Sequence, residues 1–215
     1  MVVDDLFALA SHTRASLPLD VLAALTLLSV VPFVAVMTTS FVRIVVVLSL
    51  VRSAIGSQTV PPNAVITGLA LVLTILVMTP TTQTIVRDAV TPYAHGKLTQ
   101  SAFLARAIAP LRKFMQRQTH AKDLALFARV AHQPNTNFTV LVPAFVVGEL
   151  RSAFAIGVAL YLPFLAIDLA VAAILMSLGM LMLSPPIVSL PLKLLLFVSV
   201  DGWALVCAGV TSSFR

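Results

Sequence analysis

The sequence predicts an all-α membrane protein, and three observations carry that prediction. Of its 215 residues, 59% are hydrophobic and 10% are charged, with a mean hydropathy of +1.03, whereas soluble domains run at roughly 45–50% apolar and about 25% charged. The apolar residues fall in runs separated by proline- and glycine-bearing breaks, and a membrane helix needs about 20 such residues. Between residues 141 and 214 only five charges occur: Glu149, Arg151, Asp168, Lys193 and Asp201. Helices this apolar have no polar face, so each of those charges must sit against a partner, a pore or an interface. Four to six apolar helices fit the length. They are expected as hairpins in two apolar parts, residues 1–80 and 141–215, around a polar, basic, extramembrane helical segment at 81–140.

Along the chain, the first apolar runs cover residues 17–37 and 41–51, with Pro32 inside the first. Residues 18–55 therefore read either as one long kinked helix or as two short ones, since neighbouring helices make such kinks tolerable. The opening residues carry Asp4 and Asp5 and no basic stretch, so the run at 17–37 reads as a retained helix, not a cleaved signal. Gly56 and the sequence through Pro61, Pro62 and Asn63 combine a helix stop, two prolines and an N-cap residue, a turn joining antiparallel helices. The second arm covers 64–78 and is expected to end at Pro80 within the Thr79, Thr81 and Thr82 cluster. In 81–140, Phe103, Leu104, Ala107, Ile108 and Leu111, then Leu124, Leu126, Phe127 and Val130, fall at helical spacing. His132 to Asn137 reads as a connector. The last third repeats the hairpin plan: apolar runs at 141–147 and 153–183, breaks at Ser184-Pro185-Pro186 and at Pro191, and a second arm to residue 210.

Net charge is +6, and all the excess is local. Residues 87–129 hold eight basic and two acidic residues, while the remainder holds six of each. The positive-inside rule would put this loop in the cytoplasm. Its basic residues are dispersed and lack an aromatic stacking platform, which argues against nucleic acid as a partner. The four histidines are far apart and have no ligand-like spacing, so no metal site is expected. Cys207 is a lone thiol in an apolar run and reads as a small packing residue. No nucleophile, phosphate-loop or dinucleotide motif occurs, so neither catalysis nor a cofactor is expected, and energy for any transport must come from elsewhere.

Several stretches resemble the SctR/FliP family of type III secretion export-gate proteins. They are Thr38-Thr39-Ser40-Phe41-Val42-Arg43-Ile44-Val45-Val46-Val47-Leu48-Ser49, Gln58-Thr59-Val60-Pro61-Pro62-Asn63, and Val142-Pro143-Ala144-Phe145 with Glu149-Leu150, Phe154 and Ile156-Gly157. The resemblance continues through Pro163-Phe164-Leu165-Ala166-Ile167-Asp168-Leu169, Met176 to Met182, Pro185-Pro186, Leu190-Pro191-Leu192-Lys193 and Val200-Asp201-Gly202-Trp203. Ala155 and Gly148 depart from the polar and hydroxyl residues usual there. The short N-terminus looks more like the injectisome branch, with its virulence role, than the flagellar one.

The resemblance implies a homo-oligomer of about five copies in the bacterial inner membrane. With SctS- and SctT-like partners, and other export-apparatus and basal-body proteins, it would form a helical, cone-shaped gate for unfolded secreted proteins. Much of that gate would lie above the bilayer plane, with subunit interfaces covering more apolar surface than lipid does. The resemblance also places residues 81–140 on the extracytoplasmic side, against the positive-inside reading.

Met180, Leu181 and Met182 occupy the position of the family's methionine-rich pore gasket; on sequence alone Met176, Met180 and Met182 read first as helix packing, and the resemblance turns the reading to the gasket. Methionine is flexible and polarizable and seals a narrow channel adaptably. Arg43 lies in an apolar run with no acid near it in sequence and needs a carboxylate partner, for which Glu149, Asp168 and Asp201 are the candidates. Arg52, Arg151 and Lys193 complete the expected structural and interface charges. Lys193 and Asp201, two helical turns apart, share a face and are expected to point toward other helices. The competing reading is a small ion-coupled secondary transporter built on Arg43, Glu149 and Asp168, and a third is a membrane scaffold without a pore.

Overall fold

In the computed structural model, the described residues are 21, 25, 26, 29, 32–57, 59–135, 137–180 and 182–214. The chain divides into two compact units, residues 1–37 and residues 38–215. The retained helix expected at 17–37 falls mostly outside the described residues. Residues 32–37 of that unit are helical, Pro32 included.

The second unit is built of helices joined by turns, with no strand among its described residues. After a non-helical step at Thr38, Thr39 and Ser40, α1 covers Phe41–Ile55. Gly56 ends it in the left-handed region at φ 91°, with its N–H on the Ser53 carbonyl, a conformation glycine enters without a Cβ clash. Arg52 reaches over the turn and donates to the Pro61 carbonyl and to Asn63 Oδ1. The hairpin expected at 56–63 is thus tied shut by the last basic residue of its first arm.

The second arm, α2, covers Asn63–Ile85. Pro80 does not end it, contrary to the sequence expectation. Proline removes the backbone donor to the Leu76 carbonyl, a loss that helices in apolar surroundings tolerate; the neighbouring Thr79, Thr82 and Thr84 donate to the carbonyls of Ile75, Met78 and Pro80. A π turn at Val86–Val90 and a short α3, Thr91–Ala94, extend the arm. Asn63–Ala94 is one rod of 32 residues, long and apolar enough to cross a membrane.

The amphipathic segment forms α4, Gln100–Gln118, capped by Thr99 accepting from the Ala102 N–H, and α5, Ala121–Ala131. Then comes α6, Phe138–Ser177, 40 residues long with Pro143 and Pro163 inside it. The sequence suggested separate apolar runs at 141–147 and 153–183. The first run and the second as far as Ser177 share a single helix, the charges between them being neutralised by partners on other helices, and the second run stops short of 183 at the Gly179 turn.

The final arm begins at the paired prolines, which occupy the first positions of α7, Pro185–Ser199, where a missing N–H costs nothing. Pro191 lies inside that helix and does not break it. The break falls instead at Val200 and Asp201, the latter left-handed at φ 49°, before α8, Gly202–Ser212. The two helices bend by 65° there, and as a pair they form a third candidate span beside Asn63–Ala94 and α6. Gly202 makes the bend possible, since a Cβ would run into the Phe197 ring.

Helix α1 is the centre of the packing. Ile44, Val47, Leu48 and Val51 are buried against Ala70 of α2, Ala153 of α6 and Val206 and Val210 of α8. Leu50 fits against Gly157, where a Cβ would not fit, so α1 and α6 approach closely. A second cluster joins Met78, Phe114, Met115, Leu141 and Phe145, with the Phe114 and Phe145 rings edge to face at 5.9 Å.

Candidate functional site

The long helix α6 carries three charged residues, and each is met by a different neighbouring helix. Glu149 is fully buried. It takes Arg43 of α1 as a two-pronged partner, Nε to Oε2 at 2.8 Å and Nη2 to Oε1 at 2.6 Å. Nη1 of Arg43 donates to both the carbonyl and the hydroxyl of Ser213, and Nη2 also reaches Gln118 Oε1 at 3.4 Å. All five N–H groups of the guanidinium therefore have acceptors, and its face lies 3.9 Å from the centre of the Phe214 ring. A charge out of water is tolerable only with this degree of satisfaction.

Two residues on, Arg151 projects from the other side of α6, as helical geometry requires. It donates from Nη1 to Asp123 of α5 at 2.8 Å, and Asp123 is itself buried. His120 Nδ1 stands 3.9 Å from the same carboxylate. Asp168, lower on α6, accepts from Lys193 Nζ and from Ser189 Oγ of α7, each at 2.6 Å. Lys193 is buried.

Of the three acids named for Arg43, the structure brings Glu149 to it. Asp168 goes to Lys193, and Asp201 is exposed at the bend with no ion pair among the described residues. The trio Arg43, Glu149 and Asp168 is not one site: Glu149 and Asp168 are 19 residues apart on one helix, about 28 Å at 1.5 Å per residue. Asp123 was missed because it sits in a segment that reads as solvated. The available signal was that Arg151, nearly opposite Glu149 on α6, needs an acid of its own.

At its far end α6 stops in a glycine turn. Gly179 adopts φ 73°, its N–H bonds the Met176 carbonyl and the Met180 N–H bonds that of Leu175, the paired closure that a left-handed glycine permits. Met180 is exposed and Met182 is fully so, at 101% of its reference area. Leu181 lies outside the described residues. The face of α6 leading to this turn is also apolar and exposed: Phe154, Val158, Leu162, Leu165 and Leu169 recur every three or four residues along one side. No group of three or more His, Cys, Asp or Glu side chains is placed to hold a metal ion among the described residues.

Comparison with known proteins supplies the deciding observation: the FliP family profile matches residues 24–210. The chain belongs to the FliP family. It is 45% identical to the flagellar biosynthetic protein FliP of Pectobacterium carotovorum subsp. carotovorum over 93% of this chain and 80% of that one. The FliP of Bacillus subtilis is 42% identical over 98% of both chains. That of Caulobacter vibrioides is 46% identical over 89% of this chain and 74% of its own length. FliP proteins are structural components of a protein export apparatus. The flagellar names carry the family without its injectisome branch, so the injectisome and virulence expectations gain no support from them.

Proposed function

We propose that this FliP-family chain is a structural gate subunit of a type III export apparatus, lining with copies of itself the conduit for unfolded secreted proteins. The names of its relatives support a flagellar apparatus as the system served. The observation that carries the reading is the combination on α6. Every charge on that helix is paired inside the chain, yet an apolar stripe faces outward and runs to an exposed methionine turn. A solitary protein gains nothing from that stripe, whereas neighbouring copies and SctS- and SctT-like subunits would bury it.

In this reading Met180 and Met182, with Leu181 between them, form the gasket, and the glycine turn fixes where they project. An apolar constriction blocks ions by dewetting and yields to a passing chain. The paired charges Arg43, Glu149, Arg151, Asp168 and Lys193 hold the helices that carry the turn, and Arg52 braces the hairpin. The subunit sits in the bacterial inner membrane in about five copies, with part of the assembly raised above the bilayer plane and residues 81–140 on the extracytoplasmic side. An ion-coupled transporter is disfavoured because Arg43 and Glu149 neutralise each other and Asp168, about 28 Å along α6, is paired with Lys193.

Replacing Met180 and Met182 together by Ala is expected to raise small-ion conductance of the assembled complex in planar bilayers while the complex purifies in normal yield. Unchanged conductance with normal assembly would overturn the gasket.

A further inference from the structure

The bend between α7 and α8 leaves a hollow in the surface. A cavity of about 240 Å³ opens there, floored by Val51, Phe164, Phe197 and Val206 and rimmed by Val200 and Leu205. The floor is buried and the rim exposed. Every side chain that lines it is apolar, so a water molecule would find no side-chain partner on its walls. An apolar cavity of about 150 Å³ already admits a benzene ring; this one has room for a phenylalanine side chain.

The same subunit carries a projection to match. Among the described residues of 38–215, Phe154 is the one exposed phenylalanine. Tyr93 and Tyr161 are exposed as well, but a phenol hydroxyl entering this cavity would give up its hydrogen bonds. Phe154 does not reach the cavity of its own chain. Pro163, on the cavity wall, follows it by nine residues, about two and a half turns, and so projects from the opposite side of α6. A projection on one flank and a hollow on the other make a heterologous contact, in which each copy fills the next.

Charge gives the contact its register. Arg151 lies three residues before Phe154, one turn away on the same face of α6. Its side chain is 43% exposed and engages Asp123 through Nη1 alone, which leaves Nε and Nη2 for a second acceptor. Asp201 sits between Val200 and Gly202, both lining the cavity, and is the one acid among the described residues without an ion pair. Asp168 meets Lys193 and Phe164 meets Phe197, so α7 runs antiparallel to α6 and places Asp201 beside the cavity on the side nearer the α6 N-terminus. In a parallel copy with Phe154 seated, Arg151 falls on that same side, level with Asp201. A lipid chain would fill the hollow but leave Asp201 bare beside apolar surroundings, a cost that a second copy removes.

We infer that the hollow at the bend is the seat of a second copy of this chain, with Phe154 of one copy in the cavity of the next and Arg151 paired with that copy's Asp201. Resting on the gate reading above, the contact joins copy to copy through unlike faces and gives the subunits a fixed order.

The test uses the full chain carrying Cys207→Ala, with two differently tagged forms co-expressed and their membranes treated with an oxidant. F154C in one form and V200C in the other are expected to give a disulfide-linked pair bearing both tags. Neither form alone, nor V72C with V200C, should do so. In native mass spectrometry of the detergent-purified protein, Phe154→Ala and Leu205→Trp should each lower the multi-copy complex about tenfold, and Asp201→Asn about threefold. All three positions are exposed, so thermal unfolding of the single subunit should match the parent. A multi-copy parent in which F154C and V200C stay unlinked, or in which Phe154→Ala assembles in full, would overturn this contact and leave the gate reading standing. F154C linked to F154C would do the same, because like faces would then meet. Phospholipid held by the parent complex and lost from Leu205→Trp with assembly unchanged would give the hollow to lipid instead. A parent that stays monomeric would overturn both readings.

Discussion

The two halves of α6 obey opposite rules. From residue 138 to about 153 the helix is largely enclosed: Leu141, Ala144, Phe145, Glu149 and Ala153 have no exposed area, and α1, α4 and α5 pack around it. From about 154 onward it turns an apolar face outward, while its other side keeps Phe164, Val171 and Leu175 buried, Phe164 on the Phe197 ring, and Asp168 pairs with Lys193 of α7. The first half is completed by its own chain; the second is left to be completed by a membrane or by other subunits. The same apolar composition therefore serves two purposes. Where charge pairs fix the neighbours it builds a core, and where they are sparse it leaves an exposed apolar face.

Breaking the enclosed half should have the largest effect. Glu149→Ala strands the buried Arg43 guanidinium and is expected to cost about 3–5 kcal/mol, read as a collapse of the thermal unfolding temperature in detergent and of the yield of any complex. Arg43→Ala should behave alike. The double variant R43M/E149M removes the stranded charge and should recover much of the loss. A single Glu149→Ala protein as stable as the parent would erase the contrast between the halves.

A middle effect is expected at the bend of the last arm. Gly202→Ala drives a methyl into the Phe197 ring and should cost about 1–3 kcal/mol through overpacking, with Phe197→Leu in the same chain restoring part of it. Failure of that rescue would mean that the bend is held by something other than the ring contact.

The smallest effect on stability, and the sharpest test of the contrast, lies in the outward face. Leu162→Asn with Leu169→Asn removes no internal contact of consequence, so the isolated subunit should stay within about 0.5 kcal/mol per site of the parent. The amount of multi-subunit complex recovered should nevertheless fall severalfold. A complex formed in full yield would show that this face is not an interface.

Much of this was readable from residues. The all-helical class, the hairpin turn at 56–63 and the need of Arg43 for a carboxylate follow from periodicity, from glycine and proline chemistry, and from the cost of a bare buried charge. Punctuation was less reliable inside apolar helices than at their ends. Pro80 and Pro191 looked like stops, yet their helices continue, because one missing backbone bond does not outweigh the many that remain in an apolar helix. Asp201 lies at a left-handed break between two helices, a position that its spacing from Lys193 did not reveal. The identity of each ion pair was beyond sequence reading, since it depends on which helices cross where; the approach of α1 to α6 at Gly157 decides that Arg43 meets Glu149.

The guanidinium of Arg43 has a further consequence in time. Two of its hydrogen bonds go to Ser213, 170 residues later in the chain. At the roughly 5–20 residues per second of protein synthesis, those acceptors emerge on the order of ten to thirty seconds after Arg43 does. Through that interval α1 is a newly made apolar helix with an incompletely neutralised cation. Its final seating therefore waits on translation of the far arm.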